Sequence, residues 1–548
     1  MLNINLQQKH YTAEENEYQL YLPTNFEVII PTDDSVRLLS QIVEGMDLSE
    51  LYMAYSEIGR KPGVKPKIMF KVLVYAYMEK IYSTREIEKA CRRDINFMWL
   101  LAGEEAPDHC AISRFRQKRL GKAIESLFYQ FVKTLSEIGE VKYENVFQDG
   151  TKLEATANRY TFVWKKSVAT REKKMHEKIN EIAMGLNQQY QTNFKIEKAS
   201  AERDIHDMIM HLERKMAELG YEWVSGAGKR KSSEQKLVEI LRKYRERQLG
   251  YEENQDILGD RNSYSKTDHD ATFMRMIRRI ATQSFTDDHM KNGQLKPGYN
   301  VQLAVESEYV VGIGVYPNGN DVGTLIPTLE TIYKYDPEIR IKNFIADAGF
   351  ESEENYSYLA GREIIYYIKP QIYEQQQKSS FKKNISKREN MTYNPETDEY
   401  TCANVKQLKP IKVTKKKMES GFETETTIYE CESCEGCPFK EKCTKSKGNR
   451  QLTVSKKFLK QRAQSLENIT TEEGILLRIN RSIQSEGAFG IIKENRQFTR
   501  FLTRGMENVI TETLLLGFGY NVNKLHAKIQ DSRCGGTGLL IPKSKMAA

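Results

Sequence analysis

The sequence has no apolar run long enough to cross a membrane. Its longest apolar stretches, YVVGIGVY at 309–316 and LLLGFGY at 514–520, are less than half of the about 18 residues that a spanning helix needs. The first residues, MLNINLQQKHYTAEENEY, also lack the basic, apolar and small-residue order of a signal peptide. We therefore expect a cytoplasmic protein with no membrane partner.

The sequence also lacks a disulfide framework of the kind found in small secreted proteins. Its eight cysteines are spread through 548 residues, although five of them fall between 402 and 443. Apolar residues make up 39% and charged residues 29%, which excludes a collagen-like chain and a wholly disordered one. At about 150 residues per domain, this length predicts three to four domains.

A phosphate-binding loop is missing as well. The nearest candidate, SGAGKRKS, lacks the leading glycine and the Ser or Thr after the lysine, so we expect no nucleotide cofactor. Lys plus Arg number 83 and Asp plus Glu number 75, which leaves a net charge of +8. This mildly basic balance is compatible with nucleic acid as a partner, although 75 acidic residues make the charge patchy.

Helical periodicity dominates residues 37–140, as in KIMFKVLVYAYMEKI and SRFRQKRLGKAIESLFYQFVKTLSEIG. Basic residues are frequent there: Arg85, Arg92, Arg93, Arg114, Arg116, Lys118 and Arg119. Short helices with basic faces are typical of helix-turn-helix DNA binders, which makes Arg114 and Arg116 candidate DNA contacts. A helical bundle with solvated Lys and Arg is the alternative.

Strand patterns alternate with helical ones after residue 140. The strands are expected at 145–148, 299–306, 309–317, 341–347 and 362–370. Helices are expected at 324–335, within SEENYSYLAG and at 506–529. This order predicts an α/β fold built on a mixed sheet whose two outer strands are antiparallel.

The composition changes along the chain define eight segments. We expect an N-terminal arm at 1–36, a helical DNA-binding domain at 37–140, the first part of the α/β domain at 141–160, a helical insertion at 161–262 with a flexible tip at 226–233, the second part of the α/β domain at 263–371, a basic Cys-rich insertion at 372–465, closing helices at 466–530 and a disordered tail at 531–548.

Two aspartates, Asp149 and Asp347, stand at the C-terminal ends of predicted strands, where open α/β sheets bind ligands. If the two strands are adjacent and parallel, the carboxylates converge and offer the oxygen ligands that Mg²⁺ prefers. Two such ions about 4 Å apart can clamp an in-line phosphodiester attack. Glu486, which begins the helical segment SEGAFGIIK, is the candidate third carboxylate. The alternative is that these aspartates start turns or cap helices.

Several segments resemble the DDE transposases of bacterial insertion sequences. They are FQDGTKLEATANRYTFVWKK at 147–166, IADAGF at 345–350, RSIQSEGAFGIIK at 481–493, GRKPGVKPKIMFKVLVYAYMEKIYSTREIE at 59–88, PDHCAISRFR at 107–116 and RGMENVITE at 504–512. The resemblance implies a ribonuclease-H-like catalytic domain and a metal-binding catalytic triad of Asp149, Asp347 and Glu486. It also implies two Mg²⁺ or Mn²⁺ ions as cofactors.

The same resemblance implies the reaction and the partners. The enzyme would cleave DNA at the terminal inverted repeats of its element and then join the freed 3′-OH to target DNA. It would act as a homodimer or higher homo-oligomer on paired ends, in the cytoplasm of a bacterium, next to the nucleoid. Two alternatives stay open: a ribonuclease-H-like nuclease that cuts without joining, and a DNA-binding protein that has lost catalysis.

The branch of this family with a Tyr, Arg, Glu and Lys signature is the most similar. Lys493 lies seven residues after Glu486, as in that signature, so the two share one face of a regular helix and Lys493 could hold a phosphate. Arg481 lies five residues before Glu486 rather than four, which rotates it off that face. It remains a weaker candidate for DNA contact. No Tyr stands at the expected place, Leu477 or Arg478.

Three further groups of residues compete with this site or support it. Asp268 and Asp270 form a second carboxylate pair, for which a turn or supporting role is the alternative to catalysis. Asp321 is expected to cap the following helix or to support the site.

Three aromatic residues, Tyr160, Phe162 and Trp164, alternate along the chain after the first aspartate. The period of two favours core packing on a strand. Stacking of Trp164 on an unpaired base is the functional alternative.

The cysteine cluster has the spacing C-x2-C-x2-C-x5-C at Cys431, Cys434, Cys437 and Cys443, with Cys402 upstream. We expect a zinc ribbon that uses four of the five, with Cys437 or Cys443 as the spare. An iron–sulfur cluster and unligated thiols are the alternatives. The Lys-rich stretch 378–417 adjoins this cluster and could grip DNA.

Overall fold

A computed structural model of the protein describes residues 26–55, 62–225, 230–276 and 295–539. The helices are α1 Phe26–Ile29, α2 Ser35–Glu44, α3 Ser49–Met53, α4 Pro66–Met78, α5 Thr84–Arg93, α6 Ile95–Leu101, α7 His109–Arg114, α8 Ile124–Glu137, α9 Lys165–Tyr190, α10 Ala201–Glu218, α11 Ser233–Leu258, α12 Leu325–Tyr335, α13 Glu353–Gly361, α14 Tyr373–Gln376, α15 Ser379–Lys382, α16 Lys440–Cys443, α17 Lys456–Thr470, α18 Glu472–Arg481, α19 Gly487–Gly490 and α20 Met506–Gln530.

The strands fall into one large sheet, one smaller sheet and a short ribbon. They are β1 Asn145–Glu154, β2 Phe162–Trp164, β3 Ser263–Ser265, β4 Thr272–Arg275, β5 Leu295–Glu306, β6 Tyr309–Tyr316, β7 Asn343–Ala346, β8 Ile365–Ile368, β9 Thr392–Asn394, β10 Glu399–Thr401, β11 Gln407–Lys417, β12 Glu423–Cys431 and β13 Gln451–Val454. In the described part of the chain, no helix is long and apolar enough to span a membrane.

The large sheet is mixed, which confirms the predicted α/β architecture at this level. Strands β1, β7 and β8 run parallel, whereas β5 is antiparallel to β1 and carries both β6 and β4 on its other side. The tight connection between β5 and β6 is the hairpin that the sequence predicts. Strand β1 is longer than expected. Its pairing with β7 ends at Gln148, whereas its pairing with β5 continues to Glu154.

Alternating side chains of the parallel strands pack against two different helical layers. Phe147, Ile345 and Tyr367 face Ile469 of α17 and Leu477 of α18. The opposite face of the sheet belongs to the main hydrophobic core, which it shares with α4, α8, α12 and α20. The N-terminal helices therefore pack into the same core as the sheet.

Two insertions have cores of their own. Helices α9, α10 and α11, which lie in the segment 161–262, pack together through residues such as Ile179, Ile205 and Leu241. Part of its expected flexible tip, residues 226–229, lies outside the described residues. The Cys-rich segment folds as a five-stranded antiparallel sheet in the order β9–β10–β11–β12–β13, with Tyr400 and Tyr429 in its core.

The chain ends differ in part from expectation. Of the expected N-terminal arm, residues 1–25 lie outside the described residues, and α1 follows them. Of the expected disordered tail, residues 540–548 also lie outside them. Residues 531–539 are described and pack on the protein, since Gly535 donates a hydrogen bond to Glu140 and the backbone of Gly538 accepts one from Gln484. The prediction of disorder is therefore wrong for this stretch.

Candidate active site

The parallel pairing of β1 and β7 places the two predicted aspartates side by side. Gln148 of β1 pairs with Ala346 of β7, and Asp149 and Asp347 are the residues that follow this pair. Asp347 follows the end of β7 and its Oδ1 accepts a hydrogen bond from the backbone N–H of Gly349 at 2.7 Å. Asp149 does not end its strand, contrary to the prediction. It lies within β1, at the level where the neighbouring parallel strand β7 ends.

Glu486 reaches the same place from a helix that is not regular. A π-helical turn, Ser482–Glu486, follows α18 and precedes α19. Such a turn brings residues five apart next to each other, and Arg481 Nη2 lies 2.9 Å from Glu486 Oε1. The expectation that a five-residue offset rotates Arg481 off the face of Glu486 is therefore wrong.

Arg481 connects two of the three carboxylates. Its Nη1 donates a hydrogen bond of 2.9 Å to Asp149 Oδ2 while its Nη2 binds Glu486. All four groups, Asp149, Asp347, Arg481 and Glu486, line one cleft of about 570 Å³. The structure thus brings together the three acids that the sequence nominates, with a guanidinium between two of them.

Burial raises the pKa of both aspartates. Burial raises the pKa of Asp149 to about 6, with Arg481 opposing the shift and the negative charges of Asp347 and Glu486 adding to it. Burial likewise raises the pKa of Asp347, against the backbone N–H of Gly349 and the charge of Arg481, and Asp321 and Glu486 add to the rise. The cleft therefore holds more negative charge than Arg481 alone compensates.

Lys493 lies in the same cleft, on a second π-helical turn, Ile491–Asn495. Its ammonium donates a hydrogen bond to the Thr151 hydroxyl on β1. Burial lowers the pKa of Lys493, and the charges of Glu494 and Asp149 oppose the shift. A cation thus sits on the β1 side of the cleft, close to Asp149.

A polar network on β5 supports the two aspartates, and sequence reasoning missed most of it. Asp321 Oδ1 accepts hydrogen bonds from Asn300 Nδ2 at 2.8 Å and from Gln302 Nε2 at 2.7 Å. The Asp321 side chain makes no capping bond, so the predicted cap is wrong, and its negative charge contributes to the raised pKa of Asp347. A Cβ on Gly150 would collide with the Gln302 amide, so glycine is needed there. The period-two polar residues of YNVQLAVE were the available signal.

The rival carboxylate pair has a structural role. Asp268 accepts a hydrogen bond from the Tyr299 hydroxyl at 2.9 Å and one from the Gly505 N–H. Asp270 Oδ2 accepts from the Met506 N–H at 2.8 Å, at the first residue of α20. The two aspartates therefore hold the start of α20, as the supporting alternative has it.

The donor chemistry of the cleft suits a hard cation, since every carboxylate offers oxygen and their combined charge is negative. Among the described residues, however, no three histidine, cysteine, aspartate or glutamate side chains are grouped so that they could hold a metal ion. Arg481 stands between Asp149 and Glu486 in this arrangement. Metal binding at these residues therefore requires Arg481 to move aside.

The five clustered cysteines come together in the Cys-rich segment. Cys402, Cys431, Cys434, Cys437 and Cys443 all line one small cavity. Cys434 Sγ accepts a hydrogen bond from the Arg450 N–H at 3.3 Å, and burial raises the pKa of the Cys431 thiol to about 12. Because the absence of a metal-holding group in the described residues includes these thiols, a zinc ion is not supported.

The two N-terminal arginines have different surroundings. Arg114 is exposed at the end of α7, where DNA could reach it. Arg116 is 4% exposed; its Nη1 donates to the Tyr82 carbonyl at 3.0 Å and lies 3.8 Å from the buried Glu512. The prediction of DNA contact by Arg116 is therefore wrong, because its guanidinium is buried and paired inside the core.

The alternating aromatic residues are not core residues. Tyr160 is 80% and Phe162 is 43% exposed, and Trp164 is half-buried against Phe273 at a centroid distance of 6.1 Å. Core packing was the favoured interpretation, and it is wrong for Tyr160 and Phe162.

Trp164 also lines a surface pocket with the first turns of α9, together with Lys166, Ser167, Thr170, Arg171 and Lys174. In the described residues, none of the three basic side chains among them has a carboxylate partner.

Two segments of the chain match known protein families. Residues 24–118 match the family described as "Transposase domain (DUF772)", and residues 401–526 match the family described as "Transposase DDE domain". The second match contains Arg481, Glu486 and Lys493. No curated protein matches the chain in sequence.

Proposed function

We propose that the chain is a DDE-type transposase of the insertion-sequence kind, as the two matches indicate, and that it cuts DNA at the ends of its element and joins the freed 3′-OH to target DNA. The observation that carries this proposal is the convergence of Asp149, Asp347 and Glu486 in one cleft. The three acids come from β1, from the end of β7 and from a helical segment far along the chain. Capping and turn roles do not explain why they meet.

The order of strands supports a ribonuclease-H-like catalytic domain. Three antiparallel strands, β6, β5 and β1, continue into two parallel ones, β7 and β8. The two insertions enter after β2 and after β8, so neither interrupts the strands that carry Asp149 and Asp347. In this reading, the sheet positions the site and the insertions carry DNA contacts.

In the proposed reaction, Asp149, Asp347 and Glu486 would hold two Mg²⁺ or Mn²⁺ ions, which would lower the pKa of an attacking water and stabilise the leaving 3′ oxygen. Arg481 would then leave Asp149 and Glu486 and contact a phosphate instead. Lys493 holds a second phosphate from the other side of the cleft. Burial is the main cause of the raised pKa values of Asp149 and Asp347, and bound cations would favour the charged form of both carboxylates.

Trp164 provides a second DNA contact in this proposal. Its half-exposed ring stands beside the unpaired Lys166, Arg171 and Lys174, and aromatic rings next to cations bind unpaired bases and their phosphates. Arg114 on the N-terminal helices contacts duplex DNA. Because element ends are cut and joined in pairs, the enzyme acts on DNA as a homodimer or higher homo-oligomer.

The proposal is tested by offering the wild-type protein Mg²⁺, a duplex from the flanks of its own gene and a supercoiled plasmid. Plasmid joined to the flank duplex through a new phosphodiester bond is the expected product. Cleavage without joined product would instead indicate a nuclease of the same fold. Binding without cleavage, under conditions where the plasmid and the duplex both stay intact, would indicate a DNA-binding protein that has lost catalysis.

A further inference from the structure

The Cys-rich sheet carries a two-stranded projection that the proposed site does not use. Strand β13 pairs only with Thr427–Glu430 of β12, so beyond that point β11 and β12 continue as a ribbon. Both faces of this ribbon are mostly exposed, and Ile411 and Val413 are each 55% exposed. Lys457 Nζ of α17 lies 5.4 Å from the ring of Phe422 in the connecting loop. The ribbon is thus held against the protein at its tip.

The strand register divides the charges of the ribbon between two faces. Directly paired residues share a face and successive residues alternate. Lys412 pairs with Ile428, Thr414 with Thr426 and Lys416 with Thr424; we call these six residues the Lys–Thr face. The Thr414 and Thr426 hydroxyls lie 2.9 Å apart. None of these six residues is a carboxylate, and the next residue of β12 on the same side, Glu430, accepts a hydrogen bond from Gln451 Nε2 at 2.6 Å.

The opposite face carries as many lysines, but each of them has a glutamate as its cross-strand neighbour. Lys415 pairs with Glu425, with Nζ and Oε2 3.7 Å apart, and Lys417 pairs with Glu423. Further along this face, Thr427 is buried next to the core of the Cys-rich sheet. The Lys–Thr face is therefore the outward one. Among the described residues, its Lys412 and Lys416 have no ion-pair partner.

We propose that the Lys–Thr face binds the sugar–phosphate backbone of duplex DNA. This proposal rests on the proposed function, since it assumes that the protein acts on DNA. Lysines and threonine hydroxyls are the side chains that contact phosphate oxygens without reading sequence. Four residues of strand place Lys412 and Lys416 about 13 Å apart, a length over which one DNA strand presents about four phosphates.

The two faces provide a matched pair of variants. Lys412→Gln/Lys416→Gln removes two charges from the Lys–Thr face, and Lys415→Gln/Lys417→Gln removes two charges from the neighbouring positions of the same strand. The net charge changes equally, so any effect of overall charge is the same in both. All four side chains are exposed, and unchanged thermal unfolding confirms that both variants are folded.

The measurement is the affinity of the full chain for a duplex at several salt concentrations. For Lys412→Gln/Lys416→Gln, the slope of log K against log salt should fall by about 2, which corresponds to about 30-fold weaker binding at 0.15 M salt. For Lys415→Gln/Lys417→Gln, we expect a slope change below about 0.5. Equal effects of the two variants, or no effect of either, would overturn the proposal.

Two duplexes of equal length distinguish the source of the DNA. One comes from the flanks of the gene and the other is unrelated. If Lys412→Gln/Lys416→Gln loses affinity for the flank duplex alone, the Lys–Thr face binds the element end. If it loses affinity for both duplexes, the face binds any DNA, including the target. Both outcomes support the proposal. A change in oligomeric mass of Lys412→Gln/Lys416→Gln without any change in DNA affinity would contradict it and indicate contact between copies of the chain.

Failure of this inference and failure of the proposed function are separable. The inference depends on the difference between two variants in binding, whereas the proposed function depends on cleavage and joining by the wild-type protein. A wild-type protein that joins DNA while the two variants bind alike would leave the transposase proposal intact and remove the ribbon from it.

Discussion

At the scale of single residues, Asp149 is a half-buried carboxylate whose negative charge lowers the stability of the folded state. Its pKa is raised to about 6 by burial, with Arg481 as its nearest cation. An ordinary aspartate in the unfolded chain has a pKa of about 3.9, so the folded state binds this proton more tightly. Stability from this group is present below pH 4 and is lost as the pH rises through 6.

Asp149→Asn should therefore stabilise the metal-free protein at high pH. We expect a gain of about 3 kcal/mol at pH 8 and about half of that at pH 5, because the wild-type carboxyl is protonated in the folded state at pH 5. Thermal unfolding in EDTA at the two pH values measures the difference. A gain that does not shrink on acidification would show that Asp149 carries no costly charge.

Replacement of the buried Arg116 should have the opposite effect on the free energy of unfolding, because its charge lies beside the buried Glu512. Arg116→Met leaves Glu512 inside the core without its cation, and we expect a loss of about 3 kcal/mol in unfolding free energy. Arg114→Gln, on the exposed end of α7, should change stability by less than about 0.5 kcal/mol and weaken DNA binding instead. Thermal unfolding and duplex affinity of the two variants, compared side by side, check both assignments. Equal stability of the variants would contradict the burial argument.

At the scale of secondary-structure elements, most of what places the site could be predicted from the sequence. The period-two patterns predicted the strands that became β1, β5, β6, β7 and β8, and the boundaries of α20 were predicted within one residue. The π-helical turn Ser482–Glu486 was not predictable, because local periodicity assumes a regular helix. It arises where Arg481 meets Asp149, a partner that is remote in sequence.

Two other errors have the same origin. The extension of β1 past Asp149 depends on pairing with β5, which the pattern around 145–148 does not contain. An arginine such as Arg116 has the same local sequence signal whether it faces solvent or a buried glutamate. Local patterns thus predict elements and candidate residues, whereas the partner that determines a charged residue's role is supplied by tertiary packing.

A substitution at the start of α20 tests the role of the rival carboxylate pair, Asp268 and Asp270. Asp270 accepts a hydrogen bond from the first N–H of this helix, so Asp270→Ala should lower the unfolding free energy by about 1 kcal/mol. Cleavage of flank duplex, measured below the unfolding transition, should stay at the wild-type rate. Loss of cleavage with unchanged stability would make Asp268 and Asp270 the catalytic pair.

At the scale of the whole molecule, one sheet positions the two aspartates, whereas exposed basic residues such as Arg114 and Lys412 lie on other elements. Separate contributions of this kind predict that binding and cleavage can be uncoupled. Addition of EDTA should lower cleavage by about 100-fold or more, since metal ions contribute several kcal/mol to such reactions. Duplex binding, measured in the same solution, should persist because lysines and arginines carry it. Cleavage that continues at full rate in EDTA would contradict the proposed cofactor.

The central claim is that Asp149, Asp347 and Glu486 form the reactive centre, and one measurement tests it most directly. The rate of cleavage of a flank duplex in Mg²⁺ is compared between wild type, Asp347→Asn and Glu494→Gln, a carboxylate of the same cleft outside the triad. We predict that Asp347→Asn binds the duplex normally but cleaves it about 1000-fold more slowly, because the amide keeps the shape and removes the charge that holds the metal. Glu494→Gln should cleave at the wild-type rate. Cleavage by Asp347→Asn as fast as by wild type would contradict the claim.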